Sequence, residues 1–241
     1  ETGQLIISGM GELHLDVLVT RMKDDFKVAA RVGAPQVTYR ESVTAECEHT
    51  EVYDKVIGGK QVTAGLTLHI APNTGAGNTY TCNVKKNNIP GEIFDAIQSG
   101  ITNSFGSGIQ YGYLCTDIAV TVTDIQYDEL TSTPFAFEAC SVQAFDAACN
   151  KADPKLLEPV MNVTILSPKE FVGDAMSQIT QRGGLIQSLD SKPSTEVVHA
   201  QAPMAKMFGF STSLRSVTQG RASFSMEFSH FQVKEGGLGN Y

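Results

Sequence analysis

Charge is scarce in this sequence, and what there is leans to one sign. Only 18% of the 241 residues are Asp, Glu, Lys or Arg, and the net charge at pH 7 is −8. A chain so composed has no general positive field for nucleic acid, so any RNA contact has to come from particular loops. The excess acid is concentrated in residues 35–156, which carry seven basic and fourteen acidic groups, whereas residues 157–241 carry seven of each. No apolar run approaches the ~18 residues of a membrane span, so no membrane-crossing helix is expected. Glu1-Thr2-Gly3 leads straight into an apolar segment without a charged leader, which reads as a boundary within a longer, non-secreted protein. The five cysteines (Cys47, Cys82, Cys115, Cys140, Cys149) are odd in number and include no Cys-x-x-Cys. Buried thiols in a reducing cytoplasm fit them best.

Catalytic motifs are missing as well. No Gly-x-x-x-x-Gly-Lys-Ser/Thr occurs, so the chain is expected to bind no nucleoside triphosphate through a P-loop. Gly58-Gly59-Lys60 is the nearest approach, but Gln61 follows where a Mg²⁺-binding hydroxyl is needed. Gly106-Ser107-Gly108 follows a helical pattern instead of joining a strand to one, which weakens a dinucleotide reading. Cys47-Glu48-His49 has no second ligand pair at a zinc spacing and reads as ordinary strand. The five histidines come without a Gly-x-Ser-x-Gly elbow. His14 reads as a helix-start residue with a structural hydrogen bond. No catalytic, metal or cofactor site is expected in this chain.

What is present is an alternation of strand and helix patterns. Residues 4–8 read as a strand, and Leu15, Leu18, Val19, Met22 and Phe26 recur at helical spacing. A short strand over 27–32 would complete a βαβ half-domain spanning residues 1–34. In residues 35–156, Leu66, Leu68 and Ile70 alternate with polar neighbours, as do Tyr80, Cys82 and Val84. A helix opens at Pro90 with Ile93, Ile97, Ile101 and Phe105 on one face. A strand follows over 114–125, then a helix carrying Phe137, Cys140, Ala144, Phe145 and Ala148. Residues 157–241 read as βαββαβ, with Ser167-Pro168-Lys169-Glu170 as a capping box and Phe171, Ala175 and Ile179 on the first helix's buried face. A last strand turns Phe224, Met226 and Phe228 inward. The fold class is therefore α+β, multi-domain, with a ferredoxin-like sandwich at the C-terminus. Arg215 and Arg221 flank Thr218-Gln219-Gly220; cations complement a helix C-terminus, and guanidinium also suits phosphate, so both readings stand.

Several ordered segments resemble the elongation factor G family. Thr2-Gly3-Gln4 and Ser8-Gly9-Met10-Gly11-Glu12-Leu13-His14-Leu15 are similar to the end of its domain III. Gly33-Ala34-Pro35-Gln36-Val37-Thr38-Tyr39-Arg40-Glu41 is similar to the entry into domain IV. Leu157-Glu158-Pro159-Val160-Met161, Pro203-Met204-Ala205-Lys206-Met207-Phe208-Gly209-Phe210 and Leu214-Arg215-Ser216-Val217-Thr218-Gln219-Gly220-Arg221 resemble domain V. The resemblance implies the end of domain III in residues 1–34, domain IV with a βαβ crossover in 35–156 and domain V in 157–241. It implies a parent GTPase that uses GTP and Mg²⁺ outside this chain and promotes tRNA–mRNA translocation as a cytoplasmic monomer. The implied partner is the ribosome, met at the small-subunit decoding region and at large-subunit RNA near the GTPase-associated region. By the same resemblance Gly58, Gly59, Lys60, Gln61, Tyr127 and Asp128 fall on the tip loops of domain IV, and Arg215, Gln219 and Arg221 on an RNA-facing turn of domain V. The likeness breaks at the tip. Gly58–Gly65 keeps glycines but lacks the family's Tyr and His, and Asp128 stands where the family has a histidine. A carboxylate repels phosphate, so a divergent paralogue acting in ribosome recycling, or a stand-alone ferredoxin-like binding module, remain the alternatives.

Overall fold

A computed structural model of the chain describes residues 7, 12–29, 31–33, 37–85 and 88–235. It packs as two units: the described residues up to 38 with 158–232, and residues 39–157 with those from 233 onward. The expected strand over 4–8 and the side chain of His14 lie outside the described residues.

The central unit is a sheet with helices on one face. β2 (Cys47–Ile57) and β3 (Lys60–Pro72) form a long antiparallel hairpin, β5 (Ile118–Gln126) pairs antiparallel with β3, and β4 (Thr79–Cys82) lies parallel to β5. The order is β2-β3-β5-β4. Parallel neighbours need a crossover, and α2 (Gly91–Ser107) supplies it between β4 and β5. α3 (Pro134–Lys151) follows β5; Thr133 caps it by accepting from the Ala136 amide, and Pro134 occupies its first turn. Period-two alternation sends Leu66, Leu68 and Ile70 of β3, with Ile118, Val120 and Val122 of β5, into one core with Ile93, Ile97, Ile101, Phe137 and Phe145. Each large side chain so buried stabilises the unit by roughly 1.5–3 kcal/mol. The opposite face carries cross-strand hydroxyl pairs, Thr50 with Thr67 and Thr81 with Thr121, each at 2.9 Å. β1 (Arg40–Val43) runs antiparallel to Pro154–Leu157, the start of β6.

The other unit contains the rest of β6 (Pro154–Pro168), then α4 (Val172–Gln181), β7 (Leu185–Ser191), β8 (Thr195–Pro203), α5 (Phe210–Val217) and β9 (Ser223–Val233). β9 pairs with β6, β6 with β8 and β8 with β7, which is the ferredoxin-like βαββαβ plan. Val163, Ile165, Val198 and Ala200 meet Ala175, Ile179, Phe210 and Leu214 beneath the sheet. Phe224 closes the core edge-on to Phe210 at 4.9 Å. α1 (Glu12–Asp24) is the helix expected near the start of the chain, with Leu15, Leu18, Val19 and Met22 half-buried.

Four local expectations are corrected. No strand forms among the described residues of 27–32, and Phe26, Val28 and Val32 are exposed; the Val28 amide turns back to the Met22 carbonyl at 3.1 Å instead of joining a ladder. Ser167-Pro168 does not open a helix. β6 continues through Pro168, paired with Thr195 of β8; a short 3-10 turn (Lys169–Phe171) follows, and no side chain caps it. Phe171 is half-buried there, whereas Ala175 and Ile179 are fully buried. In β9 the alternation slips after Met226, leaving Glu227 and Phe228 both exposed, and Phe228 packs with Phe231 at 5.1 Å. Finally, residues 60–65 are strand, not loop. All five cysteines are free thiols: Cys115, Cys140 and Cys149 are buried, Cys47 and Cys82 half-buried. Burial pushes the Cys115 thiol up to about 12 and that of Cys140 to about 11.

Candidate functional site

The glycine pair Gly58-Gly59 makes the tightest turn of the central unit. Ile57 pairs with Lys60, so only these two residues connect the strands, at φ of 59° and 79°. Positive φ at both positions is the twist-matched hairpin turn that glycine adopts without strain. A Cβ at either would meet nothing within 4 Å, so the turn stands open to solvent. Lys60 and Gln61 are exposed, and Gln61 donates to Asp54 across the hairpin at 3.2 Å. β5 stops pairing with β3 at Gln126 opposite Gly65, so the hairpin continues past the sheet as a two-stranded arm.

Residues 127–132 run along the base of that arm. The Thr63 amide donates to the Thr131 carbonyl at 3.0 Å, and the Ser132 hydroxyl donates to the Thr63 carbonyl at 3.0 Å. Tyr127 is half-buried against the core. Asp128 is exposed, and its Oδ1 accepts from the amides of Leu130 at 2.8 Å and Thr131 at 3.1 Å. Those bonds hold its carboxyl below its ordinary pKa, so the base of the arm carries a negative charge. Tyr127 and Asp128 line a depression of about 210 Å³ with Val52, Thr63, Ala64, Gly65 and Gln126. Lys60 and the turn lie three or more residues beyond Thr63, about 10 Å at strand rise. The two expected tip segments thus share one end of the central unit but reach different distances from the sheet. Of the partners that fasten them, Thr131 and Ser132 are legible in sequence only as candidate helix caps, a role that Thr133 takes, and Thr63 has no local signal.

In the ferredoxin-like unit, Arg215, Gln219 and Arg221 are exposed around the end of α5. Gln219 has φ of 53° and Gly220 of 75°, and the Gly220 amide returns to the Arg215 carbonyl at 2.8 Å, closing the helix. Thr218, also unforeseen, is fully buried and donates to the Leu214 carbonyl at 2.7 Å, which stiffens the turn. The arginines differ. Arg221 is ion-paired with Glu170, and its guanidinium lies 5.4 Å from the centre of the Phe171 ring. Arg215 has no described side-chain bond and projects into solvent. Among the described residues no group of three or more His, Cys, Asp or Glu side chains could hold a metal ion, and no helix is long and apolar enough to cross a membrane.

The architecture defines a class, α+β chains in which a ferredoxin-like sandwich accompanies a second helix-backed sheet carrying a projecting hairpin. Three family models match in order along the chain: Elongation Factor G, domain III over residues 1–34, Elongation factor G, domain IV over 35–153, and Elongation factor G C-terminus over 155–239. Elongation factor G 1 of Treponema denticola is 62% identical across 97% of this chain, which covers 36% of that relative. Elongation factor G 2 of Treponema pallidum is 54% identical across 96% of the chain and 35% of its own length. A crystal structure of a protein from Thermus thermophilus matches 95% of the chain and 34% of its own length, at a TM-score of 0.82 and 29% identity. The chain belongs to the elongation factor G family, and spans about a third of the length of these relatives.

Proposed function

We propose that this chain is the ribosome-contacting part of a GTP-hydrolysing elongation factor that promotes tRNA–mRNA translocation. The supporting observation is the unbroken succession of domain III, domain IV and C-terminal family models along a chain whose relatives carry the name elongation factor G. Residues 1–34 are read as the end of domain III, 35–156 as domain IV and 157–241 as domain V. GTP and Mg²⁺ belong to the remainder of the parent protein, a cytoplasmic monomer. The arm with Gly58, Gly59, Lys60 and Gln61, together with Tyr127 and Asp128, faces the small-subunit decoding region. Arg215, Gln219 and Arg221 face large-subunit RNA near the GTPase-associated region.

Arg215 is free to meet phosphate, whereas Arg221 must first exchange Glu170. Arg215→Ala in the full-length factor should therefore weaken ribosome binding more than Arg221→Ala and reduce its salt slope by about one. Depletion of the main elongation factor supplies the broader test: the parent protein should sustain elongation in its place. Ribosome binding unchanged in both arginine variants, with no rescue of elongation, overturns the reading. The charge at Asp128 favours a second reading, a paralogue specialised for recycling. It is distinguished by ribosome-splitting activity in a factor that fails to translocate.

A further inference from the structure

The depression at the base of the arm has a definite chemistry. Gly65 is part of its lining, and the Gln126 side chain lies over that glycine: an added Cβ would come 2.6 Å from Gln126 Oε1. Val52 and Tyr127 supply apolar lining, and Asp128 supplies a carboxylate. The carboxylate is charged and fixed in orientation by the Leu130 and Thr131 amides on Oδ1. A carboxylate can accept about four hydrogen bonds, so capacity remains for a further donor.

The face around the depression carries one sign of charge. Val52 pairs with Gly65, Asp54 with Thr63 and Val56 with Gln61, so these six residues share a face of the hairpin. Lys55 and Lys60 pair with Val62 and Ile57 and fall on the opposite face. Asp124, opposite Thr67, extends the acidic side, and Glu129 adjoins Asp128. Val56 and Leu130 add exposed apolar surface beside it, at 73% and 94% exposure. A phosphate backbone approaching this face meets carboxylates, while the hairpin's described lysines, Lys55 and Lys60, lie on the other side. A cationic side chain meets apolar lining for its methylene stem, a ring for its charged head and a carboxylate to pair with.

We propose that this depression receives an arginine or lysine side chain presented by a basic protein segment, giving the arm a protein-docking function alongside any RNA contact. The proposal rests on the preceding reading only in supposing that the arm meets a partner. It is testable on the full-length parent protein without ribosomes, so failure of either reading is visible separately. The probe is the peptide acetyl-Gly-Arg-Gly-amide, titrated into protein carrying ¹³C-labelled valine methyl groups, with its citrulline analogue as the uncharged control. The arginine peptide should shift the Val52 methyl signals saturably. Asp128→Asn keeps an oxygen for the Leu130 and Thr131 amides but removes the charge, and should weaken the peptide by about threefold or more. Tyr127→Leu, which keeps apolar bulk but removes the ring, should weaken it as well. Val52 shifts that are absent, or equal with the citrulline peptide, overturn the proposal. So does a single-stranded uridine octamer that shifts Val52 at lower concentration than the arginine peptide.

Discussion

At the end of the central sheet where β3 stops, polar side chains close the loops around them; at the end where β3 starts, valines and a leucine stand in solvent. Asn73 Nδ2 donates to the Gly77 carbonyl at 2.8 Å, the Gly77 amide to Asp117 at 2.9 Å, and Asn78 Nδ2 to the Cys115 carbonyl at 2.8 Å. Glu41 is 1% exposed, and its carboxylate accepts from the amides of Gln110 at 2.6 Å, Tyr113 at 2.8 Å and Tyr111 at 3.2 Å. The far end has the two-residue turn, the Asp128 turn and the Thr63 contacts, with Val56, Ile57 and Leu130 outward. Similar turn chemistry thus serves two purposes. One end uses its polar groups to complete the fold, and the other leaves apolar side chains exposed.

Substitutions at the two ends should differ in kind. Glu41→Ala removes the buried carboxylate that holds three part-buried backbone amides of one loop and should cost about 2 kcal/mol or more, read from urea unfolding. A loss below about 1 kcal/mol would mean that loop is hydrated and the contrast weaker than described. Glycines sharpen the comparison. At Gly108, with φ of 78°, a Cβ would sit 2.6 Å from Glu41 Oε1 and 2.7 Å from the Gly112 backbone, so Gly108→Ala should cost about 2 kcal/mol or more. Gly58→Ala meets open space and carries only the left-handed backbone penalty, about 1 kcal/mol.

Asp128→Ala should lower the melting temperature modestly, and the effect should depend on pH with a definite sign. The carboxyl is held below its ordinary value in the folded protein. Its contribution is therefore complete above the unfolded value near ~3.9 and fades as pH falls through the lower folded value. Melting curves of wild type and variant should differ at pH 7 and converge at the acid end; a constant gap would trace the effect to shape instead. Leu130→Ser should be the mildest change, within about 0.5 kcal/mol, because the side chain is 94% exposed.

Buried alternation was the most legible feature of the sequence. Leu66-Thr67-Leu68-His69-Ile70 announced a half-buried strand without help from any other segment, and Ile93, Ile97 and Ile101 announced a helix face. Features decided by a distant partner were not legible. Ser167-Pro168 has a helix-start composition, but Glu196 and Thr195, some 28 residues away, continue the ladder through it. Gly58–Gly65 reads as a loop from its glycines, yet Lys60–Gly65 is strand because Val52–Ile57 pairs with it. At the candidate surfaces, the residue types at Asp128 and Arg215 were readable. That Arg221 is held by Glu170, and that Val52, Gly65 and Tyr127 line one depression, depend on chain segments brought together only by folding.

The Glu41 carboxylate also has a place in time. Its bond to the Gln110 amide joins residues 69 apart in sequence, whereas the β2–β3 ladder starts across two glycines. Closing the longer loop forfeits far more chain entropy before any contact compensates, and hairpins form within about 1–10 μs. The arm is therefore expected to assemble early and the Glu41 clasp late in folding. Glu41→Ala should leave the refolding rate nearly unchanged and act almost wholly by accelerating unfolding, as interactions absent from the transition state do. The Glu41 side chain would then govern how long the native state lasts and have little part in how fast it is reached.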